Sequence, residues 1–188
     1  MKTLKLYPGK NIVPLLLSLI IFIPAVIIAT GIASESADSG KGLIKLNDPL
    51  DEPEYYCVDI PGFRRNLQLN KALMAHTCKP GADDETYTIN YPSEGQLYME
   101  AYDRCVEAES AADGAELFMK PCSDSPLQRF VFTEEGRIIL SNGDKGDLCL
   151  YVAPGEGTPT GGPSHVRRDL MLRKCSDAEP ELSLWTLP

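Results

Sequence analysis

Histidine is nearly missing from this chain, which has two among 188 residues, and tryptophan occurs once. No Gly-x-Ser-x-Gly elbow, no His-Glu-x-x-His pair and no glycine-rich phosphate loop is present. The usual signatures of serine hydrolases, zinc proteases and nucleotide-binding enzymes are therefore lacking. Carboxylates are abundant, but no spacing among them marks a glycosidase pair. There is no Cys-x-x-Cys and no Cys/His cluster with metal-ligand spacing, so a zinc role for the six cysteines is disfavoured. Asn-x-Ser/Thr is absent too, and no N-linked glycan is expected. These gaps point away from an enzyme and away from a metal or cofactor.

Charge narrows the partners. The formal net charge is −9. Residues 1–33 hold Lys2, Lys5 and Lys10 and no acid, so the remainder carries 15 basic against 27 acidic residues. A domain this acidic repels nucleic acid and anionic lipid surfaces.

What is present begins with a long uncharged stretch, residues 12–33. As a helix its 22 residues would span about 33 Å, close to the bilayer core of about 30 Å. A secretory apolar region is shorter, about 7–15 residues. Against an anchor stand Pro14, Pro24 and the small-x-small run Gly31-Ile32-Ala33 before Ser34. Two readings stay open, an uncleaved transmembrane signal-anchor and a cleaved signal peptide. Either places the rest of the chain outside the cytoplasm, anchored or secreted, because the lysines hold the N-terminus inside. Residues 34–54 are rich in Ser, Gly, Asp and Pro and read as a flexible linker. The folded domain is expected over 55–188.

That domain repeats itself three times. Each copy has a first cysteine followed closely by a polar residue, a turn-rich stretch, a second cysteine, and an aromatic in an apolar run. Copy one holds Cys57, Cys78 and Tyr87, copy two Cys105, Cys122 and Phe130, and copy three Cys149, Cys175 and Trp185. Cys78 to Cys122 and Cys105 to Cys149 are both steps of 44. Glu94-Gly95 recurs as Glu135-Gly136, a step of 41. The later landmarks of copy three lag behind this step, because Val152–Arg168 carries a Gly- and Pro-rich insertion expected to be a surface loop with little structure. With two cysteines per copy, the repeat points to the pairings 57–78, 105–122 and 149–175 in an oxidising compartment. Short apolar or alternating runs, among them Leu67–Leu69, Gln96–Ala101 and Arg137–Leu140, are punctuated by Pro61-Gly62, Pro80-Gly81 and Asp113-Gly114. An all-β fold of three four-stranded units follows.

The residues resemble a known family. Cys57-Val58-Asp59, Leu127-Gln128-Arg129-Phe130, Gly136–Gly143 leading into Cys149-Leu150, and Ser183-Leu184-Trp185-Thr186-Leu187 look like the ricin-B-type β-trefoil lectins, from Tyr55 to the C-terminus. The family's Gln-x-Trp signature stands here as Glu85-Thr86-Tyr87, Gln128-Arg129-Phe130 and Ser183-Leu184-Trp185, complete in no copy. The resemblance implies a β-trefoil in which Tyr87, Phe130 and Trp185 are core aromatics. It also implies glycan binding, galactose-type among the possibilities. In a competent copy of that family, the Asp of Cys-x-Asp accepts sugar hydroxyls, an aromatic two residues before the second cysteine stacks on the ring, and a polar side chain precedes Gln-x-Trp.

Carried over, copy one offers Asp59, His76 and Asp84. Copy two has Glu107, Lys120 and Leu127, and copy three has Tyr151, Arg173 and Leu182. A single sugar site in copy one is therefore expected. Asp59 also sits where a turn-capping Asp would, before Ile60-Pro61-Gly62, so a purely structural role stays open. The alternative function is a degenerate trefoil serving as a protein-interaction or structural ectodomain.

Overall fold

The computed structural model describes residues 40–140, 146–162 and 164–188. The hydrophobic segment 12–33, expected as an N-terminal helix, lies outside the described residues. Among those described, no helix is long and apolar enough to cross a membrane.

Among the described residues, fourteen strands and several 3₁₀ turns make up the domain. The strands are β1 (Lys41–Leu43), β2 (Lys45–Leu46), β3 (Tyr56–Asp59), β4 (Met74–Thr77), β5 (Thr86–Ile89), β6 (Leu97–Met99), β7 (Arg104–Ala108) and β8 (Leu117–Lys120). They continue as β9 (Phe130–Phe132), β10 (Ile138–Leu140), β11 (Leu148–Val152), β12 (Thr158–Pro159), β13 (Val166–Lys174) and β14 (Trp185–Thr186). Alternation sets several of them: in β5, β6 and β10, buried residues alternate with half-buried ones, the period of a strand with one face on a core.

A ring of strands closes through six positions. β14 pairs with β2, β1 with β5, β5 with β6, and β9 with β10. Single hydrogen bonds finish the circuit: Phe130 N–H donates to Gly95 O and Trp185 N–H to Gly136 O, both at 2.8 Å. Closure leaves no long unpaired edge. Three hairpins, β3–β4, β7–β8 and β11–β13, complete the repeats. They meet one another in turn through Arg167 opposite His76, Ala72 opposite Phe118, and Glu116 opposite Met171. This is the threefold arrangement expected from the repeat, and the β-trefoil that the resemblance implied.

Tyr87, Phe130 and Trp185 are all buried in one apolar cluster. Trp185 Nε1–H also donates to Leu150 O at 3.2 Å, so its polar edge is satisfied. The disulfides join Cys57–Cys78, Cys105–Cys122 and Cys149–Cys175, closing loops with separations of 21, 17 and 26. Loops of this size are worth about 3 kcal/mol each in the chain-entropy account.

The repeated Glu-Gly turns have a steric cause. Gly136 has φ +93°, and a Cβ there would stand 2.5 Å from Trp185 O, where the two chains close the ring. Gly114 has a similar φ of +83° with nothing within 4 Å of its added Cβ. Gly136→Ala should therefore cost about 2–3 kcal/mol and Gly114→Ala about 1, the second paying for the dihedral alone. Equal losses in urea denaturation would contradict the close approach at Trp185.

Three expectations need correction. Of the supposed flexible linker 34–54, residues 40–54 are built into the domain. Gly42 pairs with Tyr87 and Trp185 with Leu46, and Ile44 and Leu46 are fully buried. The apolar run Leu43–Leu46 supplies the first strand of the first repeat, which a start at residue 55 leaves missing. Leu67–Leu69 is loop and not strand, since Leu67 follows a 3₁₀ turn, Arg64–Asn66. The copy-three insertion is not bare loop: Thr158 and Pro159 pair with Arg167 and Val166.

Candidate carbohydrate-binding site

Copy one brings Asp59, His76 and Asp84 together, and adds two residues that sequence reasoning did not weigh, Lys79 and the site role of Glu85. Asp59 ends β3. His76 lies on the neighbouring strand β4, opposite Cys57. The Cys57–Cys78 disulfide ties the strand ends together, and Lys79 is the next residue. Asp84 and Glu85 arrive on the turn before β5. The backbone N–H of Lys79 donates to Glu85 Oε2 at 2.6 Å, which pins that turn to the disulfide.

Asp59 is sealed. Its exposure is 0 %, and the Lys79 ammonium lies against it at 3.0 Å. The same ammonium donates to Asp84 Oδ2 at 2.9 Å and stands 3.4 Å from Glu85 Oε1. Three carboxylates thus share one cation. Burial, then the Glu85 charge, push the Asp59 carboxyl up to about 8, with Lys79 opposing and Asp84 adding to the rise. Lys79 moves upward as well: burial works against its charge, but Asp59, Asp84 and Glu85 outweigh it. The two shifts are compatible, because the ammonium meets three carboxylates whereas Asp59 meets one ammonium and two carboxylates.

Copy two explains the crowding. There Gln128 Oε1 accepts from Ser123 N–H at 2.9 Å, as Glu85 accepts from Lys79 N–H. Gln128 Nε2 then donates to Glu107 Oε2 at 2.8 Å. Glu85 has no such donor to turn toward Asp59. Replacing an amide by a carboxylate sets two acceptors face to face, and Lys79 supplies the missing positive partner. Asp59 Oδ1, Glu85 Oε1 and Tyr87 OH are still left without a hydrogen-bond partner. Asp59, His76 and Glu85 hold ligand atoms within 4.8 Å of one another, close enough for a cation, and the Lys79 ammonium meets two of the three.

His76 is also enclosed. Its Nδ1 lies 3.0 Å from Thr77 O and 3.4 Å from Asp59 Oδ2, and its Nε2 lies 3.2 Å from Thr160 Oγ1. Its ring packs edge-on to His165, with centroids 5.3 Å apart. The ring expected to stack on a sugar thus packs against the chain's other histidine.

Above this cluster opens a cavity of about 640 Å³. The loop Pro61–Gln68 lines one part of it, with the Phe63 ring 61 % exposed. Thr160, Gly161, Gly162, His165 and Arg167 of the copy-three insertion line another part, while β4 and its exit contribute His76 and Lys79. Asp59 and Asp84 do not line it. The insertion reaches copy one because it is tied there. Gly157 N–H donates to Asp51 Oδ2 at 2.6 Å, and Arg168 donates to Asp51 Oδ1 at 2.7 Å and to Tyr56 OH at 3.2 Å. Burial opposes ionisation of Asp51, but these donors hold its carboxyl down at about 2, while burial lifts Tyr56 to about 12. A side chain at Gly157 would place its Cβ 2.3 Å from Tyr56 OH, so the crossing requires glycine there.

The equivalent positions elsewhere are engaged differently. Lys120 lies over the Phe118 ring, Tyr151 OH donates to Glu179 at 2.8 Å, Arg173 pairs with Asp113, and Leu182 is buried.

Solved structures share the fold at low identity. The β-trefoil lectin of the Vibrio vulnificus hemolysin/cytolysin, with N-acetyl-D-lactosamine bound, matches at a TM-score of 0.55 and 14 % identity, over 81 % of this chain and 99 % of that one. ThreeFoil, a designed threefold-symmetric protein, matches at 0.53 and 13 %, over 77 % and 95 %. The Haemophilus ducreyi cytolethal distending toxin matches at 0.52 and 17 %, over 78 % and 81 %. Curated protein sequences return no match. The profile of the ricin-type β-trefoil lectin domain matches residues 51–182, and with its three disulfide-closed repeats the chain belongs to that family.

Proposed function

We propose that this domain binds carbohydrate in the copy-one cavity. The observation that carries the reading is the cavity itself: an exposed aromatic, Phe63, beside Asn66 and Gln68 in a pocket walled by two repeats. A flat apolar face among a few polar groups suits a sugar, which offers a C–H face and a rim of hydroxyls. Asp59 and Asp84 act from behind the wall by holding Lys79 in place. The three disulfides support an extracytoplasmic setting, anchored or secreted.

The sealed carboxylate of Asp59 favours the second reading, a protein-interaction or structural ectodomain, because Lys79 takes the position a sugar hydroxyl would need. A glycan array probed with the full-length oxidised chain and its Phe63→Ala variant separates the two. Carbohydrate binding predicts a defined set of hits, weakened at least tenfold (about 1.4 kcal/mol) by Phe63→Ala with the unfolding midpoint unchanged. A folded protein that binds no glycan would leave the second reading standing.

A further inference from the structure

The charge around the cavity is opposite to that of the chain. Of the cavity's thirteen described lining residues, two carry a full charge, Lys79 and Arg167, both basic, and none is an acid. The chain as a whole carries 27 acidic against 18 basic residues. Lys79 is already committed to Asp59 and Asp84, and the Arg64 guanidinium lies 4.8 Å from the Phe63 ring centroid. Arg167 lines the cavity with its side chain 47 % exposed, and its ion pair with Asp169 is long, at 3.6 Å, to a carboxylate that is itself 76 % exposed. Arg64 and Arg65 are exposed and lie between the lining residues Phe63 and Asn66.

What the cavity offers a ligand is therefore mainly donors. Asp59 and Glu85 are buried behind Lys79 and cannot accept from a sugar hydroxyl, and the exposed Asp169, 3.6 Å from Arg167, does not line the cavity. Arg167 presents a planar fork of N–H groups suited to a carboxylate or sulfate. Asn66, Gln68 and Thr160 can follow either polarity. A neutral sugar hydroxyl can accept from these donors, but only an anion gives the Arg167 fork a charged partner.

We infer that the ligand of this cavity is an acidic glycan, one carrying a carboxylate or sulfate that seats against Arg167 while the sugar face rests on Phe63. This deepens the carbohydrate-binding reading and rests on it. It also assigns a function to the copy-three insertion: by crossing to copy one on the Asp51, Tyr56 and Gly157 contacts, it delivers Arg167 and His165 to a site whose other charged lining residue, Lys79, is already held by Asp59 and Asp84.

The test uses the full-length oxidised chain and matched oligosaccharides, each neutral parent paired with the same molecule bearing one sialic acid, one uronic acid or one sulfate. The expected result is at least tenfold tighter binding of an acidic member than of its parent at 50 mM salt. That advantage shrinks at 500 mM salt, because exposed charges are screened. Arg167→Gln should erase it without moving the unfolding midpoint, and the carboxylate and sulfate arms identify which anion is preferred. Neutral parents that bind as tightly as their acidic partners overturn the acidic class and leave the carbohydrate reading intact. An acidic preference that survives Arg167→Gln overturns the assignment to this cavity. Binding of no glycan in either series overturns both.

Discussion

Lys79→Met should cost the oxidised protein about 3–5 kcal/mol of unfolding free energy at pH 8, the range for removing one partner of a buried charge pair. Methionine keeps the length of the side chain and removes the ammonium that Asp59, Asp84 and Glu85 share. Three carboxylates then face one another with two oxygens already unpartnered. Two features mark this loss as electrostatic and not as packing. It should shrink at pH 5, where a carboxyl that is hard to ionise can take up a proton. It should also shrink in the Glu85→Gln background, where the amide donates to Asp59 as Gln128 donates to Glu107. Urea denaturation followed by the fluorescence of Trp185, the single tryptophan, reads all four proteins. A loss below about 1 kcal/mol at pH 8, or one independent of pH, would contradict the shared-cation account.

The second large effect is a stability that falls as pH rises between about 4 and about 8. The Asp59 carboxyl is raised in the folded protein from 3.8 to about 8. Between those values the folded state holds a proton that the unfolded chain has released. The contribution is therefore fully present below about pH 4 and lost as pH rises through about 8, with a slope of at most about 1.4 kcal/mol per unit. Asp51 acts in the opposite sense and in another window. Its lowered carboxyl contributes stability above about pH 4 that is lost as pH falls toward 2. Comparing the wild type with Glu85→Gln cancels Asp51 and isolates Asp59. The variant should show a markedly flatter profile from pH 4 to 8. Parallel profiles would mean that Glu85 does not raise Asp59. His76, Lys79, Asp84 and Tyr87 also face this cluster, and the substitution leaves all four in place.

Much of the frame was legible because it repeats. Two cysteines per copy at a common step indicated three local disulfides, and the aromatics at matching positions indicated a shared core; all six cysteines and Tyr87, Phe130 and Trp185 lie where that logic put them. The first strand was missed because it is short and rests on long-range pairing: Lys41–Leu46 acquires its meaning from Tyr87 and Trp185, far along the chain. The site was legible only in part. Asp59, His76 and Asp84 do gather in copy one, yet Asp59 is sealed against Lys79 and His76 packs against His165. The signal that could have revealed this was Glu85 standing where copy two has Gln128, since a carboxylate there demands a cation nearby. Phe63 is an isolated aromatic in a Pro-Gly turn with no counterpart in the repeat. No local pattern announces that the copy-three insertion crosses to copy one, because Asp51 and Arg168 are 117 residues apart.

The central claim is that ligand seats in the copy-one cavity, against Phe63 and the copy-three insertion. The most direct measurement is an amide chemical-shift titration of the isotopically labelled full-length chain with the best-binding acidic glycan. The account predicts the largest shifts at Gly62–Asn66, His76, Gly161, Gly162 and His165–Arg167, saturating together. Largest shifts around Glu107 and Lys120 of copy two, or around Tyr151 and Arg173 of copy three, would contradict it.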